Sequence, residues 1–229
     1  MKKLLAFTLA ETLIVIGIIG VVSALTLPNL NSSTGEKEKV AKVKKIYQNL
    51  DDAIGRAVAV YGPVDEWFAN DTTVAARVER FKNRVTEFMK VSKDCGGSTG
   101  CWSTNSLCDI RGDCYDDSYY HSLSEHGAVF VILADGTALA FGGYQEKDYK
   151  IRVDIDGPNK GKTTQGIDIF DFSYEENELF PSVNFMGNNY ANGNGIIVSY
   201  ETAWVINFDN MDYLKCESKL NWTNKTSCK

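Results

Sequence analysis

Asp154, Asp156, Asn159 and Asp168 fall within VDIDGPNKGKTTQGID, residues 153–168, and offer hard oxygen donors of the kind that bind calcium. The spacing departs from an EF-hand loop: Gly157 follows Asp156 too early, and Gln165 stands where a bidentate glutamate is needed. An Asx-rich turn without metal is the other reading of the same residues. GPNKGKT, residues 157–163, resembles a phosphate loop only superficially. That loop needs four residues between its glycines to wrap a phosphate in backbone amides, and here only Pro158, Asn159 and Lys160 intervene. A turn between strands is therefore predicted. The two histidines, His121 and His126, stand among Tyr119, Tyr120, Ser122 and Ser124, with no GxSxG elbow and no HExxH pair anywhere. No catalytic residue emerges from this inventory, and the chain is not expected to be an enzyme.

The six cysteines are Cys95, Cys101, Cys108, Cys114, Cys216 and Cys228. They contain no CxxC pair, which argues against a zinc ribbon. Their even number, together with an apolar N-terminus, predicts disulfides formed in an oxidising compartment; six cysteines allow about 15 connectivities, and spacing does not choose among them. The net charge of −6 and a single short lysine run at residues 37–45 give no basic surface for nucleic acid.

These groups must be carried by regular elements. Val40, Val43, Tyr47, Leu50, Ile54, Ala57 and Tyr61 recur at steps of three and four, the stripe of an amphipathic helix that packs on a core. Lys37, Lys42, Lys44, Lys45 and Asp52 occupy its opposite face. Residues 72–95 predict a second such helix, with Val78, Phe81, Val85 and Phe88 inward. The Cys95–Cys114 stretch lacks periodicity and is expected to be a loop stapled by disulfides. GAVFVILADGTALAFGG, residues 127–143, predicts a hairpin with a two-residue type I′ turn at Asp135-Gly136. Further strands are predicted near Lys150–Ile155, Gly166–Phe172, Gly195–Tyr200 and Thr202–Phe208. Helices first and strands later imply an α+β fold with an antiparallel sheet.

The N-terminus poses a separate question. Phe7–Leu27 is almost wholly apolar and, as a helix, would span about 31 Å, close to a hydrocarbon core of roughly 30 Å. Glu11 is the misfit, because a carboxylate at that depth costs on the order of 2.5–3.5 kcal/mol. A secretory signal ending near Val22-Ser23-Ala24 and a plain membrane anchor behind Lys2 and Lys3 both leave Glu11 unexplained. If the chain is cut between Ala6 and Phe7, the new ammonium of Phe7 gives Glu11 a partner. That partner could belong to an adjacent subunit, which would set the register between packed apolar helices.

Lys2-Lys3-Leu4-Leu5-Ala6 followed by Phe7-Thr8-Leu9-Ala10-Glu11 resembles the processing site of type IV prepilins and type II secretion pseudopilins. Pro28, the twenty-second residue of the cut chain, stands where that family commonly has a helix-kinking proline. Two positions depart from the pattern: Ala6 replaces the usual glycine, and Ala10 replaces a bulkier aliphatic. VDIDGPNKGKTTQGIDIFDF and AWVINFDNMDYLKC are also similar to the soluble part of pseudopilin-like bacterial proteins.

The resemblance implies cleavage between Ala6 and Phe7, N-methylation of Phe7, and assembly through Glu11 and Pro28. It implies a pilin-like α+β fold, with a long N-terminal helix whose apolar half protrudes and whose amphipathic half packs on an antiparallel sheet with disulfide-bearing loops. Residues 1–6 would be the leader, 7–27 the transmembrane and assembly helix, 28–61 its kinked continuation, and 62–229 a periplasmic or extracellular globular domain. A Cys216–Cys228 disulfide would match the C-terminal loop of many pilins, and a calcium ion at the aspartates would match some pseudopilins. The implied partners are other pilin or pseudopilin subunits, a prepilin peptidase, an inner-membrane platform protein and an assembly ATPase. The implied location is the bacterial inner membrane, with a single pass, before release into a filament. The competing expectation is an exported enzyme or binding protein with a conventional signal peptide.

Overall fold

The computed structural model describes residues 9–68, 73–103, 106–115, 128–145, 148–158, 160–161, 163–181 and 200–229; the side chains of 23–34, 99, 115, 144, 145 and 148 lie outside the description. Helix α1, Leu9–Tyr61, is 53 residues long. Contacts divide the chain into two units, Met1–Glu38 and Lys39–Lys229, and α1 contributes to both. The helix includes Pro28, the start of the expected kinked continuation, and the whole of 28–35. A proline's fixed φ is itself near-helical, so intact turns on either side can carry its one lost hydrogen bond at a cost of about 3 kcal/mol.

The expected pilin-like fold is corrected in one central respect. Its long apolar N-terminal helix is not seen as a membrane-spanning element: among the described residues no helix is long and apolar enough to cross a membrane. The same finding overturns the expected placement as a single-pass inner-membrane protein.

Within Lys39–Lys229 the architecture is a six-stranded sheet in the order β1-β4-β5-β6-β7-β8, every neighbouring pair antiparallel. The strands are β1 Val91–Gly96, β4 Val129–Leu133, β5 Ala138–Gln145, β6 Asp148–Asp154, β7 Ile169–Glu175 and β8 Glu178–Pro181. A separate two-stranded hairpin pairs β2, Leu107–Cys108, with β3, Cys114–Tyr115. Alternation along the strands sorts the side chains onto two faces. Val131, Leu139, Phe141, Ile151, Val153, Phe170 and Phe172 pack with Val43, Ile46, Leu50, Ile54 and Ala57 of α1 and with Val78, Phe81 and Val85 of α2, Val74–Thr86. Phe130, Ala138, Ala140 and Ile169 form a second cluster with Cys101, Trp102 and Leu107. Both faces are therefore covered, one by helices and the other by the cysteine-bearing segment.

The stripe predicted for α1 is the face that packs, with Ile46 and Ala53 added to it. Helix α2 starts at Thr73, whose hydroxyl accepts the Ala76 amide at 3.2 Å. It is shorter than the predicted 72–95, because the helix ends at Thr86 and from Val91 the chain pairs with β4. The β4–β5 hairpin is present, but Leu133 and Thr137 are bonded across it, leaving Ala134, Asp135 and Gly136 as a three-residue loop. Gly136 takes φ +90° and Asp135 does not share a positive φ, so the turn carries a glycine bulge instead of type I′ geometry. The positive-φ pair occurs at Glu176 (φ 51°) and Asn177 (φ 66°), between β7 and β8.

The strand predicted at Thr202–Phe208 is a helix, α3, Glu201–Phe208, and a short helix α4, Tyr213–Cys216, follows it. A brief apolar run does not distinguish strand from helix by periodicity, and here packing decides: Trp204 and Val205 are fully buried in the main core. Most of the predicted strand at Gly195–Tyr200 lies outside the described residues.

Candidate functional site

Two places carry the residues singled out by sequence. The first is the start of α1. Residues 9–22 are all exposed, and large apolar side chains dominate them, from Leu9 at 81% to Val22 at 53%. Glu11 lies near the start of the described part of the helix. Thr12 donates its hydroxyl to the Leu9 carbonyl at 3.0 Å, within the same turn. Ala6 and Phe7 lie outside the described residues, as does the side chain of Pro28.

The second place is the loop from Asp154 to Asp168, between β6 and β7. Asp154 is 1% exposed at the end of β6, and its Oδ1 accepts the amides of Asp156 at 3.1 Å and Gly157 at 2.9 Å. Its Oδ2 is buried without a hydrogen-bond partner. Burial pushes this carboxyl up to about 6, helped by the charges of Asp168 and Asp156 and opposed by the two amides. Asp168, also 1% exposed, accepts the Thr164 amide on Oδ1. Asp156 is the outer member and pairs with Lys39 at 3.4 Å and Lys42 at 3.5 Å, both on α1.

Gly161, at φ +72°, lies directly against this group: a Cβ there would fall 2.2 Å from Asp168 Oδ2 and 3.6 Å from Asp156 Oδ2. The predicted turn at 157–163 is present, with the Lys160 amide bonded to the Gly157 carbonyl at 3.1 Å. Gly157, at φ +90°, is pressed against the Gly136 carbonyl of the β4–β5 turn. Asn159, the fourth expected oxygen donor, lies outside the described residues. Among the described residues no group of three or more His, Cys, Asp or Glu side chains is placed to hold a metal ion. His121 and His126, with Ser122 and Ser124, also lie outside the description.

All six cysteines are paired, as Cys95–Cys101, Cys108–Cys114 and Cys216–Cys228. The C-terminal pair is the one implied by the family resemblance. The other two each close a loop between consecutive cysteines in the sequence.

Other charged groups, not singled out by sequence, are also buried. Arg152 and Asp171 pair between β6 and β7, and Lys82 of α2 pairs with Asp94 of β1 at 2.6 Å. The available signal was a charged residue inside an otherwise apolar strand or helix face, which alternation alone assigns to solvent. No protein-family model, curated protein or solved structure matches this chain.

Proposed function

We propose that this chain is a structural subunit, a pilin or pseudopilin, of a type IV pilus or type II secretion pseudopilus. It is processed by a prepilin peptidase between Ala6 and Phe7, N-methylated on Phe7, and assembled through its N-terminal helix. One observation carries the reading: the apolar side chains of Leu9–Val22 stand in solvent with a carboxylate, Glu11, near the head of the run. Packing against like helices would remove this apolar surface from water at about 25 cal/mol per Å². The Phe7 ammonium of one subunit would meet Glu11 of the next and fix their register. A conventional signal cut after Ala24 would discard this surface altogether. The three disulfides fit maturation in an oxidising compartment. The partners are like subunits, the peptidase, a platform protein and an assembly ATPase, and no catalytic residue is assigned.

Intact-mass and N-terminal sequencing of the protein isolated from its own cells tests this. A chain beginning at N-methyl-Phe7 is expected, whereas one beginning at Leu25 would refute the proposal. Replacing Glu11 by alanine should reduce incorporation into filaments without altering the folded domain; unchanged incorporation would remove Glu11 from the mechanism.

The proposal includes a calcium ion at Asp154, Asp156, Asn159 and Asp168. The unpartnered, buried Oδ2 of Asp154 supports it, although among the described residues no three such side chains are placed to hold a metal ion. Millimolar Ca²⁺, but not Mg²⁺, should raise the melting temperature of the whole chain above its value in EDTA. Identical melting in all three solutions would withdraw the ion.

A further inference from the structure

Cys108 and Cys114 stand opposite one another in the β2–β3 hairpin and are joined by a disulfide. The Cys108 backbone also grips a second segment. Its amide donates to the Thr163 carbonyl at 3.1 Å, and its carbonyl accepts the Gln165 amide at 2.8 Å. The buried hydroxyls of Ser103 and Thr163, 3.1 Å apart, reinforce the same contact. Between these two anchors lies Thr164, whose amide donates to Asp168 Oδ1 and whose carbonyl accepts the Asp168 amide at 3.1 Å. The disulfide hairpin, the Thr163–Gln165 segment and the buried carboxylate of Asp168 thus form one connected series of hydrogen bonds.

A hairpin with two residues in each strand does not hold itself together in water. The turn inside it is organised by Asp109 Oδ1, which accepts the amides of Arg111 at 2.8 Å and Asp113 at 3.0 Å, but these bonds are exposed. Cys114 is exposed and Cys108 half-buried, so the disulfide is open to attack, whereas Cys101 of the neighbouring pair is fully buried.

We propose that the Cys108–Cys114 disulfide is a redox-sensitive latch on the Thr163–Gln165 segment. Oxidised, it holds that segment over Asp168; reduced, it releases it. In the reductive step a dithiol's thiolate attacks the Cys114 sulfur, forming a mixed disulfide and expelling Cys108 as a thiolate. The second thiol of the reagent then displaces Cys114. Two electrons and two protons pass to the protein, and the dithiol leaves as its own disulfide. The latch depends neither on filament assembly nor on a bound ion.

Amide hydrogen exchange on the full-length chain tests it, comparing oxidised wild type with the double variant Cys108→Ser/Cys114→Ser. The amides of Thr164, Gln165 and Asp168 should exchange at least about tenfold faster in the variant, while those of Ile151–Val153 and Phe170–Phe172 keep their rates. Unchanged exchange at 164–168 would show that the Asp109 turn suffices and would overturn the proposal. An equal rise across the sheet would overturn it too, by making the disulfide a staple for the whole domain. Wild-type protein treated with limiting dithiothreitol and an alkylating agent gives a second reading. Cys108 and Cys114 should be labelled before Cys95 and Cys101, and the reverse order would rule the latch out.

Discussion

Arg152 and Asp171 meet side by side across β6 and β7 in a two-pronged ion pair, Nε to Oδ1 at 2.5 Å and Nη2 to Oδ2 at 2.8 Å. Both side chains are almost wholly buried, at 3% and 2% exposure. The Asp171 amide donates to Thr202 Oγ1 at 3.0 Å, so the pair sits where α3 joins the sheet. Removing one member leaves the other charged in a dry site. Arg152→Ala should therefore destabilise the fold by about 3–5 kcal/mol in urea unfolding. The double replacement Arg152→Met/Asp171→Leu should recover most of that loss, because apolar residues of similar size carry no desolvation penalty. If the double variant were as unstable as the single one, the pair would be supplying more than its own mutual satisfaction.

Much of the domain's packing was legible in the sequence, and the failures have particular causes. The α1 stripe from Val40 to Ala57 was readable because one helix face repeats apolar residues at fixed spacing. The aspartate loop was readable as a turn because glycine and Asx residues cluster there. Arg152 and Asp171 were not, since a charged residue alternating with apolar ones is the ordinary mark of a solvent face. That face is covered by Cys101, Trp102 and Leu107, which arrive from a segment with no periodicity of its own. The β7–β8 turn escaped notice because Glu176 and Asn177 adopt positive φ without a glycine to announce it. Trp204 and Val205 form a helix although their segment is rich in strand-favouring residues, because tertiary burial outweighs local propensity.

Lys82 and Asp94 make a second, asymmetric pair: the lysine is 3% exposed and the aspartate 49%. Partial burial alone would raise the Asp94 carboxyl, but the Lys82 hydrogen bond, the Gly96 amide and the Lys82 charge together hold it below its ordinary value. A carboxyl with a lowered folded pKa lends stability above its unfolded pKa and loses it as pH falls through the folded one. Asp94→Asn should thus cost about 1 kcal/mol near pH 7, solvent screening of the half-exposed carboxylate keeping the loss small, with the gap to wild type closing below about pH 4. Lys82→Met should cost less than Asp94→Asn, because it removes the buried charge instead of stranding it. Chemical denaturation of the three proteins at pH 7 and pH 3 checks the order.

The lysine-bearing face of α1 does more than meet solvent. Lys39 and Lys42 reach Asp156, Lys44 pairs with Asp209 at the end of α3, and Lys45 lies 3.2 Å from Asp135 in the β4–β5 turn. Each contact is partly exposed and is worth no more than about 1 kcal/mol, but together they tie one helix to three loops. Lys44→Glu/Lys45→Glu should lower stability by about 1–2 kcal/mol in dilute buffer. Most of that difference should vanish in 1 M NaCl, where the screening length falls to about 3 Å. A loss that persisted in high salt would point to packing by the lysine stems.

Asp154 gives a pH dependence of the opposite sign to Asp94. Burial, with the Asp168 and Asp156 charges, raises its carboxyl from 3.8 to about 6. Between these values the folded chain keeps a proton that the unfolded chain has released. Stability contributed by this group therefore falls as pH rises through that window, by up to about 3 kcal/mol. Asp154→Asn retains an oxygen to accept the Asp156 and Gly157 amides and places an uncharged donor where Oδ2 is unpartnered. In EDTA the variant should match wild type near pH 4.5, exceed it near pH 7.5, and show a flatter profile between. Added Ca²⁺ should reverse the order at pH 7.5, because the ion favours the ionised carboxylate that the variant lacks. A variant less stable than wild type at both pH values in EDTA would mean that Asp154 is ionised at no cost in the fold.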